Sequence, residues 1–136
     1  MPHDVSDLVD HLNGLPRPPC AALTPFVVTD ARGNPARVEV LFQQQPAFRN
    51  HFGHVQGGFA VAMLDVLLSL AVYVETEAFL PSIAIATHFL APLPVGEIRG
   101  EGRVLKRGSS VIFAEGGLWA TDGRLAVQAT GTAAAR

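Results

Sequence analysis

Charge is scarce in this chain of 136 residues: Asp, Glu, Lys and Arg make up 16% of it, against about 25% in an average soluble domain. The formal net charge is −2, and no cluster of Lys or Arg stands out. A nucleic-acid surface is built on such a cluster, so no nucleic-acid partner is expected. Cysteine is scarcer still. Cys20 stands alone, so no internal disulfide can form. It sits in a Pro-rich stretch with no base beside it, which reads as an ordinary thiol and not as a nucleophile. The first residues carry Asp4, Asp7 and Asp10 and lack both a basic segment and an apolar run, so no secretory leader is expected. The longest apolar run, residues 59–74, is short for a membrane span and has a carboxylate at its centre. A soluble cytoplasmic protein with no membrane partner is the expectation. Metal ligands are wanting too: His51 and His54 stand three residues apart, but no further ligands complete a set.

Apolar residues, by contrast, make up 49% of the chain. A small domain this apolar is expected to hide part of its surface by self-association. Residues 1–136 read as one domain, with residues 1–20 as an N-terminal helix and Pro-rich lead-in. Val5, Leu8 and Leu12 have helical spacing over residues 4–14, and Gly14 is a stop signal. Leu23 to Thr29 and Arg37 to Gln43 read as a hairpin around the turn formers of residues 30–35. A long irregular connector, residues 44–58, leads into a helix from about Gly57 to Glu75. Four strands follow: Ser82 to Ala91, Glu97 to Lys106, Ser110 to Thr121 and Leu125 to Ala134, the last pair joined through Asp122-Gly123. This order predicts an α+β domain with an antiparallel sheet packed around one long central helix.

That helix is apolar nearly all round, as if the sheet wraps it. Only Asp65, Ser69 and Tyr73 break the pattern, and their i, i+4, i+8 spacing puts them in one line. A buried carboxylate needs a partner or a raised pKa. Asp65 is therefore either satisfied structurally, by Ser69 or a backbone group, or poised as a base or nucleophile. Gly57-Gly58 opens the same helix, where the first N–H groups have no intrahelical acceptor and the dipole favours negative charge. The pair serves either tight packing against a strand or close approach of a ligand carbonyl, an oxyanion hole. Asp65 lies eight residues beyond Gly57, about 12 Å at 1.5 Å per residue. One chain cannot easily aim both at one carbonyl, whereas two antiparallel helices across a two-fold axis can.

The segment Asn50-His51-Phe52-Gly53-His54-Val55-Gln56-Gly57-Gly58, followed by Met63-Leu64-Asp65, resembles the signature of hotdog-fold thioesterases of the PaaI-like type. Thr87-His88-Phe89-Leu90-Ala91-Pro92 with Gly96, then Gly108, Asp122-Gly123, Ala126 and Ala129-Thr130, extend the likeness to the end of the chain. The resemblance implies an antiparallel sheet wrapped on a long helix, edge-to-edge homodimers, often dimers of dimers, and hydrolysis of acyl-CoA thioesters at the dimer interface. It needs no cofactor, since CoA is part of the substrate. It implies Asp65 as base or nucleophile, the Gly57 N–H of the other subunit as oxyanion donor, Asn50 as holder of the water or acyl group, and Ser82 as a residue that orients the water. Gln56 departs from the pattern, which has His there. Its amide can still donate to a thioester carbonyl but cannot carry a proton at neutral pH.

Around this centre Gly58 and His54 are expected to line the cleft. Lys106 and Arg107, beside Gly108 and Ser109, read equally as a phosphate contact for the CoA tail and as a solvated turn. Arg49 is a weaker candidate of the same kind. His88 reads as structural, and Phe113 and Trp119 as core or interface. The competing readings are a hotdog dehydratase acting on hydroxyacyl thioesters, for which Gln56 offers no histidine, and a non-catalytic acyl-CoA or aryl-acid binding protein.

Overall fold

The computed structural model describes residues 4–135. Asp4 caps the first helix, α1 (Val5–Gly14), by accepting the N–H groups of Ser6 and Asp7. The Ser6 hydroxyl first, and then these amides, hold the Asp4 carboxyl below the ordinary carboxylate range. Leu8 and Leu12 turn inward onto the first strand, β1 (Phe26–Arg32). This strand begins three residues later than its sequence suggests. Pro19 starts a 3-10 turn, Pro19–Leu23, that takes up Leu23. The strand then continues through the expected turn because Ala31 is buried and Arg32 pairs with Arg37 at the start of β2 (Arg37–Phe42).

The connector after β2 contains a short 3-10 turn, Pro46–Phe48, and delivers the chain to the central helix α2 (Gly57–Thr76). Four strands follow: β3 (Ser82–Phe89), β4 (Ile98–Arg107), β5 (Val111–Trp119) and β6 (Leu125–Ala134). All pair antiparallel in one sheet of order β1-β2-β4-β5-β6-β3. The apolar side of α2, with Leu64, Leu67 and Ala71 fully buried, lies across β2, β4 and β5. By length and hydropathy alone α2 could cross a membrane; here it is the core of the sheet.

Glycines let the helix come so close. A Cβ on Gly102 of β4 would stand 2.6 Å from the Leu67 carbonyl oxygen, and one on Gly131 of β6 would stand 2.6 Å from Leu68 Cδ1. At Gly102 the obstacle is backbone, which cannot rotate away. Gly102→Ala is therefore expected to push α2 off the sheet and cost about 1–3 kcal/mol. Gly58→Ala, with nothing within 4 Å of its Cβ, is the matched control and is expected to hold or raise stability. Urea denaturation of the two variants checks this; equal midpoints would show that the approach of α2 is not tight.

The two sheet edges end differently. At β1 the Asn13 side chain of α1 imitates a strand: its Nδ2 donates to the Val28 carbonyl at 3.0 Å, and its Oδ1 accepts the Val28 N–H at 2.8 Å. Arg17 adds a donor to the Phe26 carbonyl at 2.8 Å. That edge is closed. Among the described residues β3 pairs with β6 alone. Its edge is open, and it carries Ile83 and Phe89, each 57% exposed.

Candidate active site

Asp65 is not buried. The sheet wraps the apolar side of α2; a line through Gly58 and Ala62, both exposed, and Asp65 and Ser69, both half-buried, looks out beside β3. The long central helix is wrapped as expected, but the carboxylate expected to be buried within it is half exposed, which corrects that expectation. The reason lies in the strand order. With β3 at the sheet edge, no strand among the described residues lies beyond it to fold over that line of the helix. The partner of Asp65 also differs from those expected along the helix: the Ser82 hydroxyl donates to Asp65 Oδ1 at 2.7 Å.

The register of β3 makes that bond possible. Ser82 pairs with Ala133, but Ala84 pairs with Thr132, so Ile83 is an extra residue in a bulge. Strict alternation from Ile85 would turn Ser82 away from the helix. The bulge restores it to the helix-facing row of Ile85, Thr87 and Phe89, opposite the row of Ala129, Gly131 and Ala133. The same row reaches the other end of the site. The Phe89 ring lies 3.1 Å from where a Cβ on Gly57 would be. Gly57 is thus fitted to a neighbour, while Gly58 opens onto space. Thr87, between these ends, has a covered hydroxyl with no partner among the described residues; the sequence shows it only as part of a motif.

The helix start is organised by the connector. Gln56 donates its N–H to the Phe48 carbonyl at 2.8 Å, and Val55 to the Leu93 carbonyl at 2.8 Å. Asn50 Oδ1 accepts the N–H groups of Phe52 at 2.9 Å and His54 at 3.1 Å. Gly53, with φ of 85°, closes this turn in the left-handed region that favours glycine. Asn50 thereby spends its carboxamide oxygen on the loop, and its NH2 is what remains for a ligand. The Gln56 side chain is exposed and does not cap the helix. Among the described residues the N–H groups of Gly57 and Gly58 meet no acceptor, the first helical bonds being those of Phe59 and Ala60 to the Gln56 carbonyl. Two free donors at the positive end of a 20-residue helix form a place for a developing oxyanion.

The structure therefore brings together Asp65 with Ser82, and separately Asn50, His54, Gln56, Gly57 and Gly58. It does not join Lys106, Arg107, Gly108 and Ser109 to either group. Arg107 donates to the Glu75 carbonyl at 3.0 Å, at the far end of α2. Glu75 is 18 residues beyond Gly57, about 27 Å of helix. Tyr73, the last member of the polar line, is taken up by His11 of α1, with Oη and Nε2 3.0 Å apart. His88 is exposed, not set among apolar side chains, and faces Gln128 at 3.3 Å. The Arg99 guanidinium covers the Trp119 ring at 4.4 Å, while Phe113 is exposed.

Residues 52–127 match the family model of the thioesterase superfamily. A candidate esterase of Saccharolobus solfataricus is 30% identical over 98 residues, spanning 71% of this chain and 69% of that protein. The chain is also similar to the crystal structure of a candidate thioesterase related to phenylacetic acid degradation, from Ralstonia eutropha. The identity there is 30% and the TM-score 0.81, with 93% of this chain and 98% of that one covered. Thioesterase superfamily member 2 of Mus musculus shares the fold at 19% identity, with a TM-score of 0.78 over 98% of each chain. The matched family model spans more than half of the chain and the fold is that of these neighbours, so the chain belongs to the thioesterase superfamily, as a hotdog-fold thioester hydrolase of the PaaI-like type.

Proposed function

We propose that this chain is a cytoplasmic enzyme that hydrolyses acyl-CoA thioesters to the free acid and CoA, at a site completed by a second copy of itself. The observation that carries this reading is the state of Asp65. It is half exposed, held by Ser82 at 2.7 Å, beside an open strand edge. It stands eight residues from the free N–H group of Gly57, about 12 Å along the helix. A two-fold axis beside β3 would run two copies of α2 antiparallel and set the Asp65 of one chain against the Gly57 of the other. The apolar side chains on the open edge, Ile83 and Phe89, followed by Leu90, support such pairing.

In this arrangement the thioester carbonyl oxygen accepts the Gly57 N–H, with the Gln56 amide as a second donor. Asp65 then either takes a proton from water as that water attacks the carbonyl carbon, or attacks the carbon itself and is freed by water in a second step. The tetrahedral oxyanion forms against the helix start, where the N–H dipoles stabilise it. Its collapse breaks the C–S bond and releases CoA as thiolate, which takes up the proton. The Asn50 NH2 is left to hold the water or the acyl group. Antiparallel helices also carry the Lys106–Ser109 turn of one chain toward the Gly57 end of the other, where cationic side chains suit the phosphates of CoA. No cofactor is needed for any of these steps. Self-association through the second sheet face, as a dimer of dimers, belongs to the same reading.

Thiol release measured over a panel of short, medium and aryl acyl-CoAs tests the function. Turnover on at least one class is expected. Tight binding without thiol release would replace hydrolysis by acyl-CoA binding.

A further inference from the structure

Behind the Asp65–Ser82 bond, between α2 and the β3 end of the sheet, lies a small cavity. Leu68, Ser69 and Val72 of α2 form one wall, and Ser82 and Ile85 of β3 the other, with Gly131 and Ala133 of β6 behind them. The space open to the centre of a water molecule is about 10 Å³, which suits one water and no acyl chain. Most of the lining is apolar. Three lining residues carry hydroxyls, Ser69, Ser82 and Thr132. Thr132 pairs with Ala84, so strand alternation turns its side chain to the opposite face from Gly131 and Ala133 and leaves Ser69 and Ser82 to face the space. Ser82 Oγ donates to Asp65 and keeps its lone pairs, so it can accept a further hydrogen bond. Ser69 is half-buried, and among the described residues its hydroxyl has no partner, unlike Thr76 of the same helix, whose hydroxyl turns back to the Val72 carbonyl at 2.8 Å.

The geometry points to Ser69 as a positioning residue that acts through a water held in this cavity between its own hydroxyl and that of Ser82. The water donates to Ser82 Oγ and accepts from, or donates to, Ser69 Oγ. Ser82 is an exposed residue at the very start of an edge strand, ahead of the bulge. Among the described residues its hydroxyl is held by Asp65 alone. A donor on Ser82 Oγ fixes its rotamer toward Asp65 and strengthens its own donation, since hydrogen bonds in a chain polarise one another. Asp65 Oδ1 is then permanently occupied, and Oδ2 is the oxygen presented to the reaction. Nothing is transferred along this chain; it holds the carboxylate in one orientation.

The inference rests on the reading of Asp65 as the catalytic carboxylate, and two independent measurements test it. In the first, kcat and KM for a hydrolysed acyl-CoA are measured in Ser69→Ala, Ser69→Thr, Ser82→Ala and the double variant. Ser69→Ala is expected to lower kcat about three- to tenfold, the size of one ordinary hydrogen bond, with KM unchanged. Ser69→Thr keeps the hydroxyl and keeps the rate. The double variant matches Ser82→Ala, because Ser69 acts only through Ser82. A wild-type rate in Ser69→Ala, or losses that multiply in the double variant, would overturn the inference. In the second, crystals of the wild type are expected to show an ordered water bonded to both hydroxyls, lost in Ser69→Ala. Wild-type crystals without that water would overturn the inference even in an active enzyme. If the wild type releases no thiol from any acyl-CoA, the proposed function fails, and the crystallographic result alone decides whether the water link exists.

Discussion

Asp65→Asn is expected to lower kcat for acyl-CoA hydrolysis by about a hundred- to ten-thousand-fold, the range for removal of a general base. The amide is nearly the same shape and can still accept the Ser82 hydroxyl at its oxygen, so the pair at 2.7 Å survives. What is lost is the negative charge and the capacity to take a proton or attack a carbonyl. The side chain is half exposed and outside the core, so the fold is expected to stay intact, with a urea midpoint close to that of the parent. Stopped assays of thiol release with the variant at high concentration give the residual rate. A variant within tenfold of the wild type would move catalysis away from Asp65 and leave the carboxylate as a partner for Ser82 only. Single-turnover hydrolysis in heavy-oxygen water separates the two chemical routes: label in the Asp65 carboxylate marks direct attack, and label in the product acid alone marks activation of water.

A comparable loss is expected from a change that touches no reacting group. Ile83 sits in the β3 bulge and is 57% exposed on the open edge. Lysine is a residue that keeps strand edges from pairing. Ile83→Lys is therefore expected to turn the assembly into monomers, seen as a fall in mass by sedimentation velocity. Thiol release then drops about a hundredfold or more, since each Asp65 loses the Gly57 donor across the interface, and removal of one oxyanion donor alone costs that much. Circular dichroism should stay that of the wild type. Mixing tests the sharing of the site directly. Asp65→Asn and Gly57→Pro are each expected to lose most of their activity; the latter deletes the N–H at a helix start whose backbone suits proline, with the Phe89 ring, 3.1 Å from the new Cβ, giving way. Their hybrid has one intact site and recovers part of the activity. A monomeric Ile83→Lys protein with full turnover would show that one chain carries the whole site.

The elements of the fold were legible in the sequence because each rests on local signals. The spacing of Val5, Leu8 and Leu12 marks α1 and Gly14 is its last residue, Asp122-Gly123 turns β5 into β6, and the apolar run of residues 59–74, broken by Asp65, marks the core helix. The strand β1 begins and ends later than its local signals suggest because proline pairs and turn formers mark breaks without fixing where pairing resumes; burial of Ala31 decides that. The chemistry-bearing residue types were legible too: a lone carboxylate in an apolar helix, and glycines at its start. Their relations were not. A single helical period says that Asp65 and Gly57 lie about 12 Å apart, but not which strand flanks them. Only the sheet order puts β3 at the edge, leaves Asp65 half exposed and closes the opposite edge with Asn13. Only the bulge at Ile83 turns Ser82 onto Asp65, because one extra residue in a strand of period two reverses every side chain before it. Residue identity and local pattern specify which groups are present and on which elements. The pairing of β3 with β6, which is long-range and carries no local turn signal, decided which of them meet.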